Sequence, residues 1–486
     1  MAGIGFELRK ILNRDTFGAQ LQAYFLGMVI VLGPFLCSAS LLIGLSTYSV
    51  DYADLSTRQV FTGAIVYVFG GSLVVTGLVQ VVLARYIADK IYRGEYDTII
   101  SSYYPVLLIT SGLLLLSGIP VVLTFEISAI AKLLILSLYV TIGCLWVTVI
   151  FVDTTQGFRA IVAIFLLGSL GAFAAGMILL KYFGLDGLLA GYAMGHAVML
   201  VLLMQRLLME FGFPASFDWG ILGYVRMFPL LVVIGLLHNL GVWIDKIIFW
   251  TSDMAISSSG IVTAPRYDSA AFLGFLTTLP AITHFFVRLE ADFSVNFQRY
   301  YDAVFFRSSF KEIAKAAEVL RKSVFKAFVS VISFQCMFSF LCAFYGEEIL
   351  TALDLPVSQV GMFRYGLAGS LFLVFLLFSV VILMYLDRQK EIFISVLTLL
   401  ILNTVLSLLS LKMGYQYYGI GYAVAALAAL LVALTHLANQ LYSLEYMTFA
   451  SIPVLGQRRA TTKLRAHRGG MYGRYNSVLP TQKGKS

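Results

Sequence analysis

Charge is scarce in this sequence. Asp, Glu, Lys and Arg make up 12% of its 486 residues, against 59% hydrophobic residues, and the mean hydropathy is +0.88. That balance excludes a soluble globular protein and leaves little chain for any aqueous domain. Cysteines number only four. Cys37, Cys144, Cys336 and Cys342 lie inside apolar runs without metal-ligand spacing, so they read as small packed hydrophobes and say nothing about redox compartment. Enzyme signatures are missing as well: there is no phosphate-binding loop, no H-E-x-x-H and no nucleophile elbow. The GIG near the start follows no strand and opens no βαβ unit, so it is not a dinucleotide fingerprint. ATP hydrolysis by this chain alone is excluded, and no cofactor or metal is expected. The opening MAGIGFELRKILNRDTFGAQ mixes acids with bases and shows no small-residue cleavage site, so the first span is expected to serve as the insertion signal.

What the chain does have is long apolar runs. Segments able to cross about 30 Å of hydrocarbon fall near 20–47, 60–87, 103–125, 128–152, 159–181, 185–209, 225–252, 266–289, 324–345, 364–386, 391–412 and 420–444. The expectation is an all-α polytopic membrane protein with twelve transmembrane helices and both termini cytoplasmic. The two least secure divisions are 103–152, where TFEIS must form a tight turn, and the eighth span, which Pro265, Arg266, Asp268 and Pro280 interrupt. Orientation follows from the basic residues. With the amino terminus inside, 27 of the 34 Lys and Arg fall on cytoplasmic segments, five on outer ones and two within spans, as the positive-inside rule requires.

The spans divide into six-helix bundles over 20–209 and 225–444, offset by about 205 residues and entering from the same side, as in parallel repeats. Gly33-Pro34 interrupts the first span and Pro229 opens the seventh. Outside the bundles lie a cytoplasmic amphipathic amino terminus (1–19), a cytoplasmic segment (289–323) and a basic tail (453–486) whose composition implies disorder. Within the cytoplasmic segment, Phe305, Phe306, Phe310, Ile313, Ala317 and Leu320 recur at helical spacing among basic residues. They imply an amphipathic helix on the membrane surface or a docking site for a soluble subunit. The basic tail beside a bilayer points to anionic lipid rather than nucleic acid.

The chemistry concentrates in Phe228 to Ser252. At about 100° per residue, His238, Asn239, Gly241, Asp245, Lys246 and Ser252 share an arc of roughly 140°, and Leu236, Leu237, Leu240, Trp243, Ile244, Ile247 and Trp250 form the apolar side. An ionised group at mid-bilayer costs at least about 2.5 kcal/mol, so Asp245 and Lys246 are expected to face a bundle interior or a wet cavity. Being neighbours, they point about 100° apart and should need separate partners. The plainer reading is a buried ion pair that fixes packing. Arg266 and Asp268 of the eighth span are further candidates for lining a cavity between the bundles. His196 and His238 are candidate proton carriers or packing donors, and Gln80, Gln156, Gln335 and Asn403 candidate interhelical hydrogen-bonding groups.

The opening MAGIGFELRKIL, the twelve-span layout, HNLGVWIDKIIFW and the following TAPRYDSAAFLGFL resemble the family of the integral-membrane G subunit of Pel exopolysaccharide systems. That family lies within the multidrug, oligosaccharidyl-lipid and polysaccharide (MOP) exporter superfamily, which includes the MATE transporters. The resemblance runs from Met1 to about Ile452 and does not cover the tail. It implies a MOP-like fold in the bacterial inner membrane and export of an amino-sugar-rich biofilm polysaccharide. It also implies a cytosolic glycosyltransferase and membrane partners, one of which senses a cyclic dinucleotide. On the residues alone, a flippase for lipid-linked oligosaccharide, an ion-coupled exporter of small cationic drugs and a scaffold for a synthase remain open.

Overall fold

The computed structural model describes residues 36–154, 158–306 and 308–450, and Gly18 and Gly33 besides. The expectations for the amino-terminal segment, Pro34, Gln156 and the basic tail lie outside those residues. Ten helices among the described residues are long and apolar enough to cross a membrane.

In the first half, α1 is the short apolar helix Leu36–Tyr48. It is followed by α2 (Leu55–Arg93), α3 (Tyr96–Leu123), α4 (Ala129–Val152) and α5 (Phe158–Phe211). Helix α2 stops because Gly94 takes φ +72° and its N–H returns to the carbonyls of Lys90 and Ile91, a left-handed cap that glycine adopts without strain. The expected tight turn at 124–128 is there, and the Ser128 hydroxyl caps α4 by accepting from the Ala131 N–H. Helix α5 is one run of 54 residues with a break at Gly184, at φ 57° and ψ −131°. Its two arms are the expected fifth and sixth spans. They fold back antiparallel on small residues, since a Cβ on Gly191 would stand 2.2 Å from the Gly176 nitrogen and one on Gly195 2.2 Å from the Ala172 Cβ. Such stripes let helix backbones approach closely in lipid, where hydrophobic exclusion gives no drive to pair.

The second half runs α6 (Gly220–Met227), α7 (Pro229–Phe249), a hairpin of β1 (Ile256–Ser258) and β2 (Ile261–Thr263), α8 (Pro265–Leu276) and α9 (Leu279–Arg288). It continues with α10 (Ser294–Phe305), α11 (Phe310–Phe344), α12 (Gly346–Ala352), α13 (Val360–Tyr385), α14 (Gln389–Met413), α15 (Ile420–Tyr442) and α16 (Leu444–Ala450). The interrupted eighth span is therefore two helices. Pro280 cannot donate to the carbonyl four residues back. The Thr277 and Thr278 hydroxyls instead donate to the Gly274 and Phe275 carbonyls, and Gln335 Nε2 donates to the Thr277 carbonyl at 3.1 Å.

The segment 289–323, expected to form a single surface helix, differs from that expectation. Ser309 and Glu312 form a reciprocal capping box that starts α11, and this helix continues without interruption through the ninth expected span. Ile313, Ala317 and Leu320 are buried. Arg321 ties α11 to α16 with a bidentate pair to Glu445 at 2.9 and 3.0 Å. Losing the cap should be felt locally: Ser309→Ala is expected to cost about 1 kcal/mol and to speed hydrogen exchange at amides 310–313, with the exchange of α13 unchanged.

The two halves meet along α2 and α7, which run antiparallel. Gly77 and Gly235 place backbone against backbone, and Asn239 Nδ2 donates to the Leu73 carbonyl at 2.7 Å. On its other side α7 packs against α14, where Asn403 Nδ2 donates to the Gly241 carbonyl at 2.9 Å. Both contacts fall on residues of the polar arc, Asn239 and Gly241, while Ile247 on the apolar side is exposed.

Candidate functional site

Helix α7 carries Asp245 into the protein interior, where it is 0% exposed. A carboxylate there needs every lone pair answered. Tyr267 of α8 donates its hydroxyl to Oδ2 at 2.5 Å, and Lys246 Nζ approaches Oδ2 at 3.2 Å and Oδ1 at 3.3 Å. The neighbours that were expected to need separate partners are therefore paired with each other. Lysine's flexible four-carbon stem permits this: it swings back until Nζ also donates to the Val242 carbonyl at 3.2 Å. The ammonium completes its surroundings with aromatic faces, 5.5 Å from the Tyr422 ring centre and 5.7 Å from that of Trp243. Its side chain keeps 18% exposure, so of the two charges Lys246 is the less enclosed.

Asp268 belongs to the same neighbourhood through a second acceptor set. Trp250 Nε1 donates to its Oδ2 at 3.1 Å, and the Ala264 N–H does so at 3.2 Å. Trp250, assigned to the apolar side of the wheel, thereby earns a polar contact through its indole N–H while its ring lies parallel to Tyr67 of the first half, 4.6 Å between centres and 12° between planes.

The remaining candidates are placed apart. Asn239 serves the seam between halves. His238 has its Nδ1 shielded, with no hydrogen-bond partner among the described residues. Arg266 is exposed at the first turn of α8, and His196 pairs through Nδ1 with the Tyr192 carbonyl at 2.9 Å. A polar hollow of about 460 Å³ lined by Lys90, Asp97, Ser101 and Asp218 lies at the other end of α2, far from Asp245 in the chain's layout.

Sequence reasoning missed Tyr267, Tyr422 and Tyr67. The only available signal for Tyr267 was its place beside Asp268 in PRYDS; a phenol inside an apolar segment needs a partner, but nothing local says which. The chemistry on offer is a buried acid, one partly exposed ammonium and several aromatic rings near the meeting line of the two halves. It suits recognition of a polar solute and contains no nucleophile with an activating base.

The fold has solved relatives. A multidrug resistance MATE family transporter of the MOP superfamily, in an outward-facing conformation, matches with TM-score 0.64 at 12% identity, covering 87% of this chain and 96% of that one. A MOP superfamily transporter from Pyrococcus furiosus gives 0.58 at 12% identity, with 87% and 96% covered. The Vibrio cholerae MATE transporter VcmN gives 0.59 at 12% identity, with 90% and 99% covered. At that identity the likeness establishes the fold alone, a MATE-like one. No curated protein matches the chain. The family model for PelG, exopolysaccharide Exporter (EPS-E), matches residues 1–449, nearly everything outside the basic tail, and the chain therefore belongs to the PelG exopolysaccharide exporter family.

Proposed function

We propose that this protein carries a Pel-type, amino-sugar-rich exopolysaccharide across the bacterial inner membrane, amino and carboxyl termini inside. A cytosolic glycosyltransferase supplies the chain, and other membrane subunits complete the complex. The observation that carries the reading is the Asp245–Lys246 pair: two formal charges retained within a membrane-spanning helix, one sealed by Tyr267 and one partly accessible, in a family of exporters. Charges held there against their insertion cost mark a pathway more readily than a packing contact. Lys246, with Asn239, His238, Arg266 and Asp268 as the other candidates, lines the passage once the two halves part. Sugar hydroxyls and amines then replace the contacts the closed seam makes with itself.

The test is transport into inverted membrane vesicles that contain the full chain and its glycosyltransferase complex. Radiolabelled glycan made outside is expected to become resistant to an added glycosidase until detergent is supplied. Glycan that stays digestible, while synthesis proceeds, would refute the export role and leave the chain a scaffold.

A further inference from the structure

The hairpin between α7 and α8 belongs by connection to the second half and by contact to the first. Its strands pair antiparallel with Ser258 opposite Ile261, and Ser259 and Gly260 take φ of 52° and 78°, the two-residue turn that suits a tight hairpin. From this turn Ser258 Oγ donates to Gln59 Oε1 at 3.0 Å, the Ser259 carbonyl accepts from the Glu126 N–H at 2.8 Å, and the Val262 carbonyl accepts from Tyr67 Oη at 2.9 Å. Ile261, 2% exposed, sits over Gly63, where an added Cβ would fall 2.8 Å from its Cγ2. Gly260 lies so near the 124–126 turn that a Cβ there would stand 2.9 Å from the Thr124 carbonyl oxygen. Beneath the hairpin is the Tyr67–Trp250 stack.

All of these contacts cross from one half to the other, at the end where basic residues are few. Hydrogen bonds of this kind are modest net contributors, and the hairpin adds to them a single aliphatic side chain, Ile261, buried in the apolar core of the first half. Such a contact biases an equilibrium without making it irreversible. The opposite end is closed by different means: Arg85 of α2 pairs with Asp387 at 3.0 Å and lies over the Phe228 ring at 5.4 Å.

We propose that the 256–263 hairpin is a strap across the exit of the passage, and that it must lift from Gln59, Tyr67 and the 124–126 turn each time glycan leaves. The proposal rests on the export reading above, and its test separates the two. In cells that secrete the polysaccharide, the full chain is expressed with Gln59→Cys and Ser258→Cys, and the 59–258 bridge is verified by peptide mapping. Oxidation is expected to cut secretion at least about tenfold, with recovery on reduction; bridged protein that secretes at the reduced rate overturns the strap. A second readout does not depend on transport. Gly260→Val, incompatible with both the backbone angle and the Thr124 carbonyl, is expected to raise labelling of an Asn239→Cys probe by an impermeant maleimide added outside, by about tenfold; unchanged labelling also overturns it. If labelling responds while neither reduced nor oxidised protein secretes, the strap stands and the export reading falls.

Discussion

Lys246→Met, made alone, is expected to destabilise the protein by roughly 3–5 kcal/mol, the cost of leaving a buried charge without its partner. Asp245→Asn should cost clearly less. The asymmetry follows from burial. Asp245 has no exposure and, without the ammonium, keeps only the Tyr267 hydroxyl. Lys246 is partly exposed and, without the carboxylate, retains the Val242 carbonyl and two aromatic faces. Replacing both residues removes both charges, and buried pairs exchanged for uncharged groups of similar size are commonly neutral in stability. The double variant Asp245→Asn/Lys246→Met should therefore unfold near the parent temperature in detergent. Secretion separates packing from transport: with stability recovered, the double variant is expected to secrete less than about a tenth of the parent amount, a loss of about 1.4 kcal/mol or more in effective barrier. Normal secretion by this folded variant would make the pair a packing device and nothing else.

How much of this was legible beforehand depends on how far apart the interacting residues lie in the chain. Hydropathy locates the helices because a membrane span is a local property. The 124–128 turn, the opening of α7 at Pro229 and the interhelical roles of Asn403 and Gln335 are likewise visible in short windows. The wheel of α7 correctly makes Asp245 an interior residue, but a wheel treats side chains as fixed spokes, and Lys246 reaches back along its own helix to pair with its neighbour. The capping box at Ser309 and Glu312 was present in the letters S-F-K-E, and an amphipathic reading passed over it because the apolar spacing continues on both sides of the cap. The hairpin was hidden for a different reason. ISSSGIVT has the turn chemistry of a two-residue hairpin, but two three-residue strands are too short to stand alone. They exist because Gln59, Tyr67 and the Glu126 N–H hold them, nearly 200 residues or well over 100 residues away.

The seam between halves escaped the sequence most completely, and it supports the second large prediction. Gly77 and Gly235 look like any other glycines of a membrane protein, yet a Cβ on Gly235 would lie 2.1 Å from the Gly77 carbonyl oxygen, and one on Gly77 2.6 Å from that of Gly235. The obstacle in each case is backbone, which cannot turn aside as a side chain does. Gly235→Ala is therefore expected to cost about 1–3 kcal/mol as an overpacked contact, and Gly235→Val more, by forcing α2 and α7 apart and breaking the Asn239 bond to Leu73. Two controls grade the effect. Gly241→Ala meets Leu399 at 3.3 Å, a side chain able to yield, and should be far milder; Gly112, with nothing within 4 Å, should tolerate alanine or gain up to about 1 kcal/mol from helix propensity. Thermal unfolding in detergent orders the four variants. If the same contact closes the passage proposed above, a Gly235→Val protein that still inserts should also label faster at an Asn239→Cys probe. Gly235→Ala matching Gly112→Ala in stability would mean that α2 and α7 do not touch at this point, and the closed seam would have to be abandoned.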